Sequence, residues 1–217
     1  MGASRLLARI ARKGSDCEKI AREVLGRPDC IPQLLEGLEA QEPRTKYGCS
    51  KVLRLVSETL PELLYREIDF FTRLLDSENS FLKWDAITIF GNLAPVDPDN
   101  RIEPLLGRFL EPIAGRVMIT AANVIAGAAN IALAIPRLAD AIASAILRVE
   151  RAKYATAECR NVAIGHAINS LDRFFDRIQD KDAVRDFVRR QLANRRNATR
   201  RKAAAFLRKR AEAAACL

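Results

Sequence analysis

His166 is the only histidine in the chain, so any chemistry that needs an imidazole base rests on it alone. A Ser–His–Asp triad would also need an activated serine, and no serine sits in a G-x-S-x-G turn or a similar setting. H-E-x-x-H, G-x-x-x-x-G-K and G-x-G-x-x-G are absent too, which leaves hydrolytic zinc, P-loop and dinucleotide chemistry without support. Cys17, Cys30, Cys49, Cys159 and Cys216 are odd in number and never form a C-x-x-C pair, so they suggest neither a disulfide framework nor a zinc knuckle. The chain therefore reads as a non-enzyme with no catalytic residue, no metal site and no cofactor.

Cations are the other residues whose grouping could carry chemistry. Residues 181–210 hold twelve Lys or Arg against Asp182 and Asp186, a net +10, while residues 1–180 carry 24 charges of each sign. The chain's excess of +9 thus lies in its last hairpin. The cations are Lys181, Arg185, Arg189, Arg190, Arg195, Arg196, Arg200, Arg201, Lys202, Arg208, Lys209 and Arg210. Clustered arginines make bidentate, salt-sensitive contacts, so such a group can grip phosphate, RNA or an acidic protein. The competing reading is a solvated cap, with pairs such as Asp186 and Arg190 and cations near helix C-termini. Phe187 and Phe206 fit the apolar stripe, which argues against base stacking on single strands. The candidate partner-binding residues are Arg148, Arg185, Arg189, Arg190, Arg195, Arg196, Arg200 and Arg201.

Apolar residues recur at helical spacing almost throughout, as in Val184, Phe187, Val188 and Leu192. Aromatics are only 6% of residues and alanine is abundant, which suits close helix packing better than sheets. The breaks place helices at roughly 4–12, 16–25, 29–40, 44–58, 61–75, 80–93, 101–113, 116–131, 136–149, 156–175, 182–193 and 198–211. Pro61 and Pro136 fit first-turn positions, and Asp180 and Asn197 fit N-caps. The uncharged stretch from Val117 to Pro136 is as long as a membrane span. Thr120, Asn123, Asn130 and the many small residues make a buried repeat helix the better expectation. The Arg-rich start, with Leu6, Leu7 and Ile10 on one face, reads as a capping helix rather than a transit peptide. The scattered cysteines suit a reducing, cytoplasmic setting.

A basic residue followed three positions later by a small one returns at a near-constant interval. The pairs are Lys46 and Cys49, Lys83 and Ala86, Arg160 and Ala163, and Arg201 and Ala204, with Met118 and Ala121 in the same register without the base. By subtraction the small residues lie 37, 35, 42 and 41 apart. Val52, Ile89, Val124, His166 and Leu207 follow three positions later, so a packed His166 facing the next repeat is expected. One helical hairpin per repeat explains the period.

Leu74, Leu75 and Asp76, a polar turn, then Leu82, Lys83, Ala86, Phe90, Gly91 and Leu93 resemble the HEAT-repeat pattern, best between residues 44 and 130. The phrase RNVAIGHAINSLDRFF is similar to an uncharacterised prokaryotic HEAT-repeat family. The resemblance implies an all-α, right-handed α-α superhelix, an α-solenoid of about five hairpins plus capping helices. As one domain, residues 1–42 would be a degenerate N-terminal cap, 43–180 the core repeats and 181–211 a basic C-terminal hairpin cap. It further implies that the second helix of each hairpin lines the concave face. That face would present Arg66, Arg73, Arg108, Arg137, Arg148, Arg185 and Arg189 among Glu62, Asp69 and Asp140.

Mixed charge on such a groove suits a protein or peptide partner, acidic ones included, better than bare DNA. No membrane or small-molecule partner is indicated. The expected function is therefore a non-enzymatic scaffold. The first alternative is a nucleic-acid binder using the basic hairpin. The second is suggested by Trp84 and Asp85, which are similar to the aromatic and acidic residues of HEAT-like alkylpurine DNA glycosylases. With a single tryptophan, on what reads as the first, convex-side helix of its hairpin, core packing is the expectation for Trp84.

Overall fold

The computed structural model describes residues 3–215, and among them there is helix but no strand. Twelve α-helices follow in order: α1 Ala3–Ile10, α2 Cys17–Leu25, α3 Ile31–Gly37, α4 Pro43–Thr59, α5 Ile68–Leu74, α6 Ser80–Asn92, α7 Leu106–Leu110, α8 Met118–Ala134, α9 Ala139–Leu147, α10 Ala157–Phe174, α11 Lys181–Arg190 and α12 Asn197–Ala215. Side chains capture the orphan amides that open the helices. Asp16 accepts from Lys19 N, Glu42 from Thr45 N, Asn79 from Phe81 N and Leu82 N, Thr156 from Cys159 N, and Asp180 from Ala183 N. Asp180 is thus a cap, as expected. Asn197 instead lies inside the first turn of α12, and Asn194 holds the preceding turn by accepting from Arg196 N at 2.9 Å.

Two stretches expected as continuous helices are broken. Residues 61–75 begin as a 3-10 helix, Pro61–Glu67, before α5. Residues 101–113 split into 3-10 turns at Glu103–Leu105 and Glu111–Ala114 around the short α7. Pro104 and Pro112 lack the N–H that an α-helix interior needs and would clash with the carbonyl four residues back. Pro136 likewise opens a 3-10 turn, Pro136–Leu138, ahead of α9.

The chain divides into two compact units, Met1–Pro98 and Asp99–Leu217. In the first, α2, α4 and α6 pack side by side in one layer, and α1, α3 and α5 cover one side of it. Its core holds Leu34, Leu53, Leu64, Phe71 and Phe90, all fully buried. In the second, α8, α10 and α12 form the corresponding layer, covered by α7, α9 and α11, with Ile142, Leu171, Phe174 and Phe187 between. Small buried residues, Ala121, Gly127, Ala128, Ala129 and Ala132 on α8 and Ala163 and Ala167 on α10, bring those two helices together along their lengths.

In each unit the long helices touch their row neighbours far more extensively than the short helices touch theirs. The long helices thus form the closely packed layer of each unit, and the short helices its cover. The arginines expected on the concave lining stand on the short-helix layer. Arg66 and Arg73 lie on Pro61–Glu67 and α5, Arg108 on α7, Arg137 and Arg148 on the turns flanking α9, and Arg185 and Arg189 on α11.

The repeat period reappears as hydrogen bonds between neighbouring hairpins. Ser50 donates to Asp85 at 2.6 Å, Asn92 to Ser57 at 3.0 Å, and Tyr65 to Asp97 at 2.7 Å. Thr199 donates to the Asn161 carbonyl at 2.8 Å, and Lys202 to that of Gly165 at 3.1 Å. Tyr154 donates to the Ile113 carbonyl at 2.6 Å, and burial pushes its phenol up to about 12. The basic members of the expected motif, Lys46, Lys83, Arg160 and Arg201, form no ion-pair ladder. In the last repeat the buried small residue is Ala203, while Ala204 is exposed, a shift of one position.

Cys49 is fully buried, and burial, with the nearby Cys17, pushes its thiol up to about 12. Its sulfur packs where Gly37 has no side chain. A Cβ at Gly37 would overlap Cys49 Sγ and meet Leu7 Cδ2 at 3.0 Å. Gly37→Ala should therefore cost about 1–3 kcal/mol by overpacking, despite roughly 1 kcal/mol of helix propensity in its favour. Urea denaturation should show part of the loss recovered in a Cys49→Ala background.

Candidate interaction surfaces

The basic hairpin docks on the hairpin before it through its charges. Arg190 clamps Glu150 with two hydrogen bonds, at 3.0 and 2.8 Å, and Gln191 joins them at 2.8 Å. Arg196 pairs with Glu158, and Lys209 with Asp172 at 2.7 Å. Arg210 is nearly buried, bonded to Asp172 and Asp176 and lying over the rings of Phe175 and Phe206 at 4.6 and 5.7 Å. Burial would raise Asp172, but the hydrogen bonds from Lys209 and Arg210 outweigh it and hold the carboxyl below its usual range.

The eight candidate arginines fall into three groups. Arg185 pairs with Asp182, Arg189 with Asp186, Arg190 with Glu150 and Arg196 with Glu158. Arg200 donates to the carbonyls of Asn194 and Arg195, closing the turn before α12. Arg148, Arg195 and Arg201 are exposed and have no carboxylate partner among the described residues. Arg148, Arg185 and Arg189 stand on the short-helix layer and Arg201 on the long one, so no single face gathers all eight.

His166 is exposed, which corrects the expected packed histidine. Its repeat equivalents Val52, Ile89 and Val124 are buried, but on α10 Ala167 takes the inward position. Partial burial and the Lys202 ammonium hold the imidazole below its usual pKa. Lys202 is itself lowered, by burial and by Arg196.

Trp84 is half-buried on α6, in the long-helix layer of its unit. It meets Phe81 edge-on at 5.4 Å, and Phe81 meets Tyr47 of α4 at 5.3 Å. Phe81 is 60% exposed. This aromatic group was not foreseen, although Tyr47, Phe81 and Trp84 stand at equivalent ends of neighbouring repeats. Asp85 has both oxygens committed, to Ser50 at 2.6 Å and Arg54 Nε at 3.1 Å. Burial raises its pKa more than these partners lower it. It ties α6 to α4.

Between α9 and α11 lies a depression of about 280 Å³ lined by Asp140, Ser144, Gln179 and Asp180. The Asp140 carboxylate there already accepts from the amides of Gln179 and Asp180. Among the described residues no three His, Cys, Asp or Glu side chains come close enough to share a metal, and no helix is long and apolar enough to cross a membrane. Cys17, Cys30, Cys49 and Cys159 are free thiols, and Cys216 lies outside the described residues.

No protein-family model and no curated protein matches the chain. Solved structures do. A designed armadillo repeat protein superposes with a TM-score of 0.59 at 16% identity, covering 95% of this chain and 92% of that one. A second, solved in complex with the peptide (KR)4, gives 0.60 at 16% identity over 94% and 90%. An engineered protein gives 0.55 at 13% identity over 95% and 87%. The fold is thus an all-α helical-repeat solenoid of the armadillo and HEAT type.

Arg210→Ala should lower stability at neutral pH by about 2 kcal/mol, because Asp172 is left partly buried without its main partner. The depressed Asp172 carboxyl contributes stability that is complete above the ordinary carboxylate pKa of about 3.9 and is lost as pH falls through its lower folded value. Asp172→Asn should therefore be less stable than the parent at pH 7 and lose less between pH 5 and 3. Urea titrations at the two ends of that range would show it.

Proposed function

We propose that this chain is a non-enzymatic helical-repeat scaffold that binds a protein or peptide partner through the concave face of its long-helix layer. One observation carries the reading. In each unit the short helices cover one side of the long-helix layer, while the other side keeps exposed polar and aromatic side chains with no element over them. Support also comes from the fold's likeness to a designed armadillo protein in complex with a peptide. The free thiols fit a reducing, cytoplasmic setting. Of the eight candidate arginines, Arg201 alone is exposed on the long-helix layer, while Arg190 and Arg196 hold the last hairpin to the one before it and Arg148, Arg185 and Arg189 stand on the short-helix layer.

A second reading, nucleic-acid binding, draws on Arg195, Arg201 and Arg208, exposed cations without carboxylate partners among the described residues. An Arg195→Ser/Arg201→Ser double variant removes charge there without touching the packing contacts.

Affinity capture from the native host, followed by binding of the purified partner at defined stoichiometry, tests the scaffold. Capture of nothing above background at low salt sinks it, as does release of modified bases from alkylated DNA that Asp85→Asn abolishes. Gel shifts at two salt concentrations settle the second reading. It requires a complex with duplex DNA or RNA that salt and the double variant both weaken.

A further inference from the structure

On the three helices that form the long-helix layer of the second unit, the described side chains of the uncovered side leave cations in excess. The helix α8 carries no charge over its length and exposes Ile119, Ala126 and Leu133, with Asn123 and Asn130 half-exposed. On α10 the exposed residues are His166, Asn169 and Arg173, at i, i+3 and i+7 on one face. On α12 they are Arg201, Ala205 and Arg208, with Lys202 half-buried beside α10.

The acids of α10 are already neutralised. Glu158 is paired with Arg196, and Asp172 with Lys209 and Arg210. The cations are not. Arg173 reaches across to α8 but finds only neutral acceptors, Asn130 Oδ1 at 2.6 Å and the Ala126 carbonyl at 3.5 Å. Lys202 likewise ends on a backbone carbonyl, that of Gly165, and it can approach because residue 165 has no side chain in the way. Arg201 and Arg208 have no carboxylate partner among the described residues. Burial lowers the pKa values of His166 and Lys202, and a neighbouring cation, Lys202 for His166 and Arg196 for Lys202, lowers each further.

We infer that the face formed by α8, α10 and α12 takes an acidic peptide segment in extended form, with Arg173, Arg201 and Lys202 as its carboxylate contacts. The inference rests on the scaffold reading and narrows it to one charge class and one face. Small residues between the cations leave room for a backbone, and the exposed amide of Asn169 offers it a donor and an acceptor. Three neighbouring helices at about 8–10 Å spacing span about 20 Å, which an extended chain of roughly eight residues covers. A cationic segment would meet like charge at four positions.

Fluorescence anisotropy on the full chain tests this with labelled octapeptides of alternating Glu and Ser, alternating Lys and Ser, and a single-stranded RNA octamer. The Glu peptide should bind at about 20 mM salt, weaken as salt rises and lose roughly tenfold in affinity in an Arg173→Gln/Arg201→Gln variant whose thermal melt is unchanged. An Arg148→Gln/Arg189→Gln variant on the short-helix layer should bind as the parent does, and the Lys peptide should not bind.

The inference is overturned if the Glu peptide fails to bind at low salt, if the Lys peptide or RNA binds as well or better, or if only the short-layer variant loses affinity. Should a captured protein partner bind equally well to the Arg173→Gln/Arg201→Gln variant, this inference falls while the scaffold reading stands. The scaffold reading falls separately, when no partner is captured at all.

Discussion

The structure depends on the burial of small side chains between successive long helices. Where α8 meets α10, alanines and a glycine replace the larger residues that separate most helix pairs, and the two run in contact along their lengths. The covering helices are shorter, interrupted by proline and 3-10 turns, and meet their row neighbours lightly. That asymmetry sets a closely packed layer against a looser cover. It leaves the side away from the covering helices open, and it is why the residues exposed there can serve as a recognition surface.

The electrostatics of the last hairpin follow from the same stacking. Among the described residues its long helix has one row neighbour, α10. Arginines supply contacts that apolar surface supplies elsewhere, gripping Glu150, Glu158, Asp172 and Asp176 of the preceding repeat. Exposed pairs of this kind contribute little each, about 0–1 kcal/mol. Arg210 differs because it is sandwiched between two aromatic rings and two carboxylates. A net charge of +10 in the hairpin sequence is therefore far less than +10 on the surface.

Much of this was legible in the residues. The helices expected at 44–58 and 80–93 are observed as Pro43–Thr59 and Ser80–Asn92, and the 35–42 residue period returns as cross-hairpin hydrogen bonds. Which layer packs more closely was not legible, because both layers carry apolar stripes of the same period. Only the small-residue content of α8 distinguishes the tighter layer. Charge pairing was hidden for another reason: Glu150 and Arg190 are 40 positions apart, and composition counts them in different segments. His166 is exposed although Ala163 and Ala167 beside it are buried as their repeat equivalents are, so the register of the repeat did not disclose that this position is left uncovered.

Arg210 has a consequence for how the molecule comes apart. In a stack where each hairpin leans only on its neighbours, loss of order starts at an end and moves inward. Here α12 is fastened to α10 by ionised groups together with Phe206, so dissolved ions that leave greasy interfaces intact will loosen this contact before the apolar ones. The contact thus acts as a latch whose grip is set by its ionic surroundings.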